Sequence, residues 1–545
     1  MRAAFLVETV SAGLTMNTQN AKKGLSKFDV LNLVIGSIIG WGSFILPGTF
    51  FLPKAGVLST VIGLGLGGFF IAIIQKAYQV MLARHVGEGG EFSYALSNLG
   101  KIHGFIVGWS LSLCYLSMIP LNATAYVLIL RKIFGSAVLW GHLYTIGGTD
   151  VYASDIVIAS VPIVVFTLIN LRGLSLSARI QNVMSASLVV IVTALFFIIL
   201  GKSDLEIFSH NYFGVSQIAS AKIASVVAIV PFLFVGFDVI PQVSNDLRFS
   251  PAKAHATAIV GIAFGVVIYA LLNMIAGLSY GPEEAERLEW AVAASVTEKT
   301  GTAGFVFMLA ALFSAVTGGI NGFMIGSSKL LGAVAREKLS PAFLGEKNEK
   351  GLYPNAILFI AVVSLIGPWI GREVIVLIVD MASVLAALAY GYVGFVGIKK
   401  SVSVFEKAVC ALACGIALLF IAFPFFFDTR PVLINVAMTV CYGMFDVILW
   451  YSVATAAYDF STSGYVVGGV ARSASIVSRL TGICIGYLVM KSMDAASSSM
   501  IVISAGALYL LAVIAVLYAI GRTGTFTLTF GKSCAGAAGR AIRVA

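Results

Sequence analysis

The sequence predicts an all-α, polytopic membrane protein, and three observations carry that prediction. Of its 545 residues, 59% are hydrophobic and only 11% charged, with a mean hydropathy of +0.98; a soluble domain carries roughly 25% charge. Fourteen apolar runs have about the length needed to cross a bilayer. Two of those runs are interrupted by glycine and proline at corresponding places in the chain. Lipid offers no partner to a free backbone N–H or C=O. Spanning segments are therefore helices, and an interruption is tolerated only where it lines a cavity.

The first run, Phe28 to Leu46, holds the stretch Gly36-Ser-Ile-Ile-Gly40-Trp41-Gly42-Ser43-Phe-Ile-Leu-Pro47-Gly48. Each glycine weakens a helix by about 1 kcal/mol relative to alanine. A close approach of a neighbouring helix through Gly36-x-x-x-Gly40 is the competing explanation. The following Pro47-Gly48 and the second interrupted run favour a break.

The remaining runs fall near 57–81, 104–130, 156–171, 183–200, 221–244, 255–280, 303–335, 355–371, 374–398, 406–427, 432–454, 473–490 and 498–520. With the N-terminus in the cytoplasm, 24 Lys and Arg fall on the cytoplasmic side and ten outside. Lys76 lies inside the second run, near the end of its helix, where its long stem reaches the interface. The acidic loop Glu283-Glu-Ala-Glu-Arg-Leu-Glu289 also falls outside, so both termini are expected inside. The net charge of +10 is spread over many short loops, which fits the positive-inside rule and not a nucleic-acid surface. Cys114, Cys410, Cys414, Cys441, Cys484 and Cys534 form no CxxC pair and read as small apolar residues. Met1 to Ala21 has no signal-peptide core.

The sixth run reads Val230-Pro-Phe232-Leu-Phe234-Val235-Gly236-Phe-Asp238-Val-Ile-Pro241, and its break follows the first by about 196 residues. The 84–101 loop has a counterpart at 281–302, displaced by a similar amount. Five runs precede the second interrupted one, so the two halves cross the membrane in opposite senses. Two interrupted helices at matching positions in inverted halves point to a binding site at the bilayer midplane.

Four stretches now carry a resemblance. They are Gly36 through Gly48; Gly89-Gly-Glu-Phe-Ser-Tyr94 with Gly104-Phe-Ile-Val-Gly-Trp109; Asn170-Leu-Arg-Gly173 with Arg179-Ile-Gln181; and Gly236-Phe-Asp238, leading to Ser250-Pro251, with Asn321 through Arg336-Glu-Lys338 and Pro341. In this order they resemble the amino acid–polyamine–organocation (APC) permease superfamily over roughly residues 25 to 400. The resemblance implies a five-plus-five inverted-repeat core in which the broken helices 1 and 6 hold an amino acid or amine. It places the substrate carboxylate at the backbone N–H groups of Gly40, Trp41, Gly42 and Ser43. Half-helix N-termini suit an anion. The ammonium falls at the carbonyls of Phe234, Val235 and Gly236. Phe232 matches a gating aromatic, and Phe323 an aromatic facing the site; ordinary core packing explains a buried phenylalanine equally well. Two departures stand out. Tyr78-Gln79 lies where relatives often carry a Glu, and Leu188 lies where proton-coupled relatives can carry a lysine.

Ionisable residues at membrane depth are functional hypotheses by default. Asp238 directly follows the second break and is expected either to meet a substrate ammonium, to titrate, or to cap the helix that follows. Asp380, early in the tenth run, is expected to face the outer vestibule, and Asp446, in the twelfth, to be structural. Ser314 and Thr317 are weak candidates for ligating sodium.

The organisation expected is a cytoplasmic segment at 1–27, a transporter core at 28–400, two helices at 401–454, two more at 455–522, and a cytoplasmic tail at 523–545. The reading is a secondary active transporter for an amino acid or related amine in the plasma membrane, working by alternating access. It needs no cofactor; coupling is by proton, by sodium or by exchange. Its partners are the substrate and the lipid bilayer, with no nucleic acid, and oligomeric state is left open. The alternatives are a non-transporting receptor on the same fold and a polyamine or amine exchanger. No P-loop and no nucleophile–base pair speaks for an enzyme.

Overall fold

The computed structural model describes residues 24–84, 87–146, 149–212, 220–288 and 290–426. The runs expected at 432–454, 473–490 and 498–520 lie outside the described residues, as do Asp446, the two tail segments and the side chain of Asp380.

The chain is mostly helical, and eight helices among the described residues are long and apolar enough to span a membrane. Helix α1 (Lys27–Ile38) opens with a capping box: the Ser26 hydroxyl accepts the Asp29 N–H at 3.2 Å, and the Asp29 carboxylate accepts the Ser26 N–H at 2.7 Å. It stops at Ile38, and helix resumes as α2 (Gly42–Leu46). The chain does not end its helical path at Pro47-Gly48. It continues through a widened π-helical stretch over Pro47–Ala55, with Pro47 in the first turn, where a missing N–H does little harm. Gly56, at φ +75°, then turns it into α3 (Gly56–Arg84).

A short helix α4 (Gly90–Leu99) precedes α5 (Lys101–Phe134), and an antiparallel hairpin of β1 (His142–Ile146) and β2 (Thr149–Tyr152) follows. Next come α6 (Ala153–Arg172), α7 (Leu174–Leu200), α8 (Leu205–Tyr212), α9 (Ser220–Phe234) and the single turn α10 (Val239–Gln242). The last stretch holds α11 (Ala254–Gly277), α12 (Pro282–Arg287), α13 (Ala291–Arg336, kinked at Gly301), α14 (Pro354–Ile366), α15 (Arg372–Lys400) and α16 (Val404–Phe426).

Helix α7 starts at Leu174, before the apolar run at 183 begins. Arg179, Gln181 and Asn182 lower the local hydropathy without interrupting the helix, because Gln181 and Asn182 find partners on neighbouring helices. The Gln181 carbonyl accepts the Asn321 amide at 2.8 Å, and the Asn182 amide donates to Asp29 at 2.6 Å. Helix α13 likewise begins at Ala291, not near 303: a polar helical turn, whose Thr297 and Thr300 hydroxyls donate to carbonyls of their own helix, precedes the kink at Gly301.

Helix α13 packs against α5, α7 and α1, and α11 against α3 and α1, so that α1 is enclosed on several sides. The outer helices show the reverse of a soluble surface. Only 33% of the apolar window of α7 is buried, and on α6 the exposed residues Val157, Val161, Val164, Val165 and Leu168 recur at helical spacing. An apolar stripe of that size facing outward fits lipid and not water. The protein is a multi-pass membrane protein.

Candidate functional site

Between α1 and α2 the chain leaves helical geometry. Ile39 is extended, at φ −96° and ψ 107°. Ser43 closes the turn, since its N–H and its hydroxyl both donate to the Gly40 carbonyl, at 3.2 and 2.8 Å. The N–H groups of Gly40 and Trp41 take no such part among the described residues. Trp41 is buried, edge to face with Trp290 at 5.1 Å, and the Arg372 guanidinium lies 5.4 Å from its ring. A Cβ on Gly40 would fall 2.8 Å from the Asn122 Oδ1.

The second interruption lies between α9 and α10. Gly236 has φ +120°, a conformation for glycine alone, and a Cβ there would fall 2.5 Å from the Ser37 Cβ. The two interrupted segments are thus in direct contact. A Cβ on Gly42 would sit 3.8 Å from the half-buried Phe232 ring, which places that ring beside the first interruption. Phe234, Val235 and Phe323 are buried, and Phe323 packs on Tyr115 with ring centres 5.6 Å apart. The carbonyls of Phe234 and Gly236 accept the N–H groups of Phe237 and Val239, both at 3.3 Å.

Asp238 is fully buried and does not cap α10 with its side chain. Its Oδ1 instead turns back to accept the Gly236 N–H at 2.8 Å, and its Oδ2 accepts the Tyr390 hydroxyl at 3.4 Å. The carboxylate therefore serves the unwound segment itself. Thr317, one of the two sodium candidates, has its hydroxyl engaged by Tyr126 at 2.8 Å and by the Phe313 carbonyl.

Sequence reasoning passed over a second acid. Glu91 on α4 is fully buried, accepting the Tyr78 hydroxyl at 2.6 Å and the Gln242 amide at 2.5 Å. Burial, followed by the charge of Asp238, pushes its carboxyl above the ordinary carboxylate range. Tyr78, Phe237 and Tyr390 stack edge to face or tilted between the two acids, at 5.1 to 6.3 Å. The local signal for this acid is the motif Gly89-Gly-Glu91, which in the sequence alone reads only as a family mark. Close by in sequence, Glu88 gathers Lys347 at 2.5 Å, Arg336 at 3.3 Å and the Tyr353 hydroxyl. Burial opposes its ionised form, but the bonds from Lys347 and Tyr353 and the charges of Lys347 and Lys329 outweigh that and lower its pKa.

The chain is 26% identical to the methylthioribose transporter of Bacillus subtilis over 49% of its own length and 57% of the relative's. It is 24% identical to an arginine/ornithine antiporter of Pseudomonas aeruginosa, over 60% of this chain and 66% of that one. With a branched-chain amino acid permease of Lactococcus lactis it shares 26% identity over 63% and 74% of the two lengths. The matched stretch thus spans less than two thirds of the first two of these relatives. The amino acid permease family model matches residues 25–450, and with most of its length inside that match, the chain belongs to the amino acid permease family, within the APC superfamily.

Proposed function

We propose that this chain is a secondary active transporter that carries an amino acid or related amine across the plasma membrane by alternating access. One observation carries the reading: the interruption at Ile39–Trp41 and that at Val235–Asp238 lie against each other through Ser37 and Gly236. Interrupted helices brought together inside a membrane bundle leave backbone polar groups that a ligand can take up. In this reading residues 28–400 form a five-plus-five inverted repeat, α1–α2 and α9–α10 being its broken helices 1 and 6. The short helix α4, before the third spanning helix, and α12, before the eighth, occupy equivalent places in the two halves. The sequence further predicts helices at 401–454 and 455–522 and, from the distribution of basic residues, both termini in the cytoplasm.

The substrate carboxylate meets the N–H groups of Gly40, Trp41 and Gly42, in a turn that Ser43 holds. The ammonium meets the carbonyls of Phe234, Val235 and Gly236, of which Val235 offers the least engaged oxygen, and Asp238 supplies negative charge behind them. Phe232 covers the site beside Gly42, and Phe323 borders it. The names of the relatives span amino acids and methylthioribose, so both classes belong in the test. Counterflow in proteoliposomes decides it. Exchange of labelled L-leucine, L-arginine or methylthioribose is the expected result. No exchange of any of them, at normal protein insertion, overturns the reading and leaves a receptor on a transporter fold.

A further inference from the structure

Glu91 and Asp238 are two fully buried acids in one aromatic cluster. The groups facing them are Tyr78 from α3, Tyr94 on α4, Cys114 and Tyr115 from α5, Gln242 from α10 and Tyr390 from α15. Among the described residues no Lys, Arg or His pairs with either acid. Lys329 is bound to Asp246 at 2.8 Å, and Arg336 and Lys347 are bound to Glu88. Two buried negative charges with no cation repel each other and lose their hydration, so a state with one proton bound is favoured.

The partners of Glu91 suit both of its forms. The ionised acid accepts from the Tyr78 hydroxyl and the Gln242 amide, as found here. A half turn of that amide presents its carbonyl oxygen, which has no other partner, to an acid O–H. A tyrosine hydroxyl both donates and accepts. Proton binding therefore asks for no backbone movement. Release is tied to movement, because Gln242 sits on α10, directly beyond the interruption that holds Asp238.

We propose that Glu91 is a proton-binding site which shares one proton with Asp238, and that this proton is the co-substrate of transport. The second half rests on the transport reading. In the packed state the proton sits on a carboxyl oxygen of Glu91. When α10 shifts with the interrupted segment, the Gln242 bond breaks and water enters. The O–H bond then breaks, the proton passes to that water, and Glu91 is left as a carboxylate until the cluster closes again.

Infrared titration of the full-length protein in lipid nanodiscs, from about pH 5 to about 10, reads the protonated carboxyl directly and needs no transport. The expected result is a buried C=O band that disappears with a midpoint above the ordinary carboxylate range, as the burial of Glu91 beside a second acid requires. It is absent in Glu91→Gln and persists with a lower midpoint in Asp238→Asn, where a neighbouring negative charge is gone. An unchanged titration in Glu91→Gln overturns the site. The coupling half is read from a pH dye trapped in proteoliposomes during uptake of labelled L-leucine or L-arginine. Wild-type protein acidifies the lumen, Glu91→Gln does not, and Glu91→Asp does so with a shifted pH profile. Uptake without acidification by wild-type protein overturns proton coupling while transport stands. Absence of any uptake or counterflow takes down the transport reading, and the infrared result then judges the site alone.

Discussion

Gly236 rests against Ser37 so closely that a Cβ at Gly236 would fall 2.5 Å from the serine Cβ and 2.8 Å from its carbonyl carbon. A side chain at this point meets both a clash and a positive φ of +120°. Strained backbone of this kind costs roughly 1–3 kcal/mol for a residue other than glycine. Gly236→Ala is expected to lower the unfolding temperature and abolish transport. Ser37→Gly in the same chain should restore little, because the backbone of residue 37 remains in the way. Full rescue by the double variant would show that only the serine side chain mattered.

Gly42 is a different case. A Cβ there meets only Leu46 at 3.6 Å and Phe232 at 3.8 Å, both ordinary contacts. Gly42→Ala should keep stability within about 0.5 kcal/mol. Gly42→Val should insert normally yet lose substrate binding, because its extra methyls restrict the turn and crowd the ligand. Analogues lacking the carboxylate should compete at least about tenfold more weakly than their parents, since a hydrogen bond to a charged group contributes roughly 1.5–3 kcal/mol. Equal competition would move the substrate toward amines.

For Asp238, the bond from the Gly236 N–H survives in Asp238→Asn, because an amide oxygen accepts as well as a carboxylate. The turn should hold, with expression unchanged. Uptake should fall and its pH dependence change. Wild-type kinetics at every pH would leave the residue a purely structural role.

How much of this was legible in the sequence depends on where each partner comes from. The spanning helices were legible because a bilayer demands long apolar runs, and the two interruptions because Gly40 and Gly236 mark them locally; the prolines nearby lie inside helical stretches instead. Glu91 was not. It lies in a polar stretch between two apolar runs, where a charge is ordinarily solvated, and its burial depends on Tyr78 and on Gln242, 151 residues away. The hairpin of β1 and β2 carries a local signal, the Gly147-Gly148 pair between its strands, but its short strands are hard to see beside the long apolar runs around them. The true start of α7 was hidden because the best bonds of Gln181 and Asn182 go to Asn321 and Asp29, which lie far away in sequence on other helices.

Glu88 provides a test at acid pH. Its lowered pKa means that its pairs with Lys347, Arg336 and Tyr353 add stability above the ordinary carboxylate range, and that this is lost as pH falls through the folded-state value. Glu88→Gln should cost about 1–3 kcal/mol near neutrality. It should also flatten the acid limb of the unfolding temperature measured in detergent. An acid limb unchanged by the substitution would place the sensitivity elsewhere.

The topology expected from the distribution of 24 basic residues against ten puts both termini in the cytoplasm. A reporter fused after Arg522 should read as cytoplasmic. An external signal would mean that one of the fourteen runs does not cross.

Trp41 and Trp290, two of the six tryptophans, stand edge to face at 5.1 Å with a guanidinium over the first. Indoles that close respond together to light, and their emission depends on the charge and water around them. Trp41 belongs to the very turn formed by Gly40 and Gly42, so whatever settles there changes the surroundings of a natural fluorophore. The protein thus carries a label already in place, and a Trp290→Phe chain would isolate its signal from that of its neighbour.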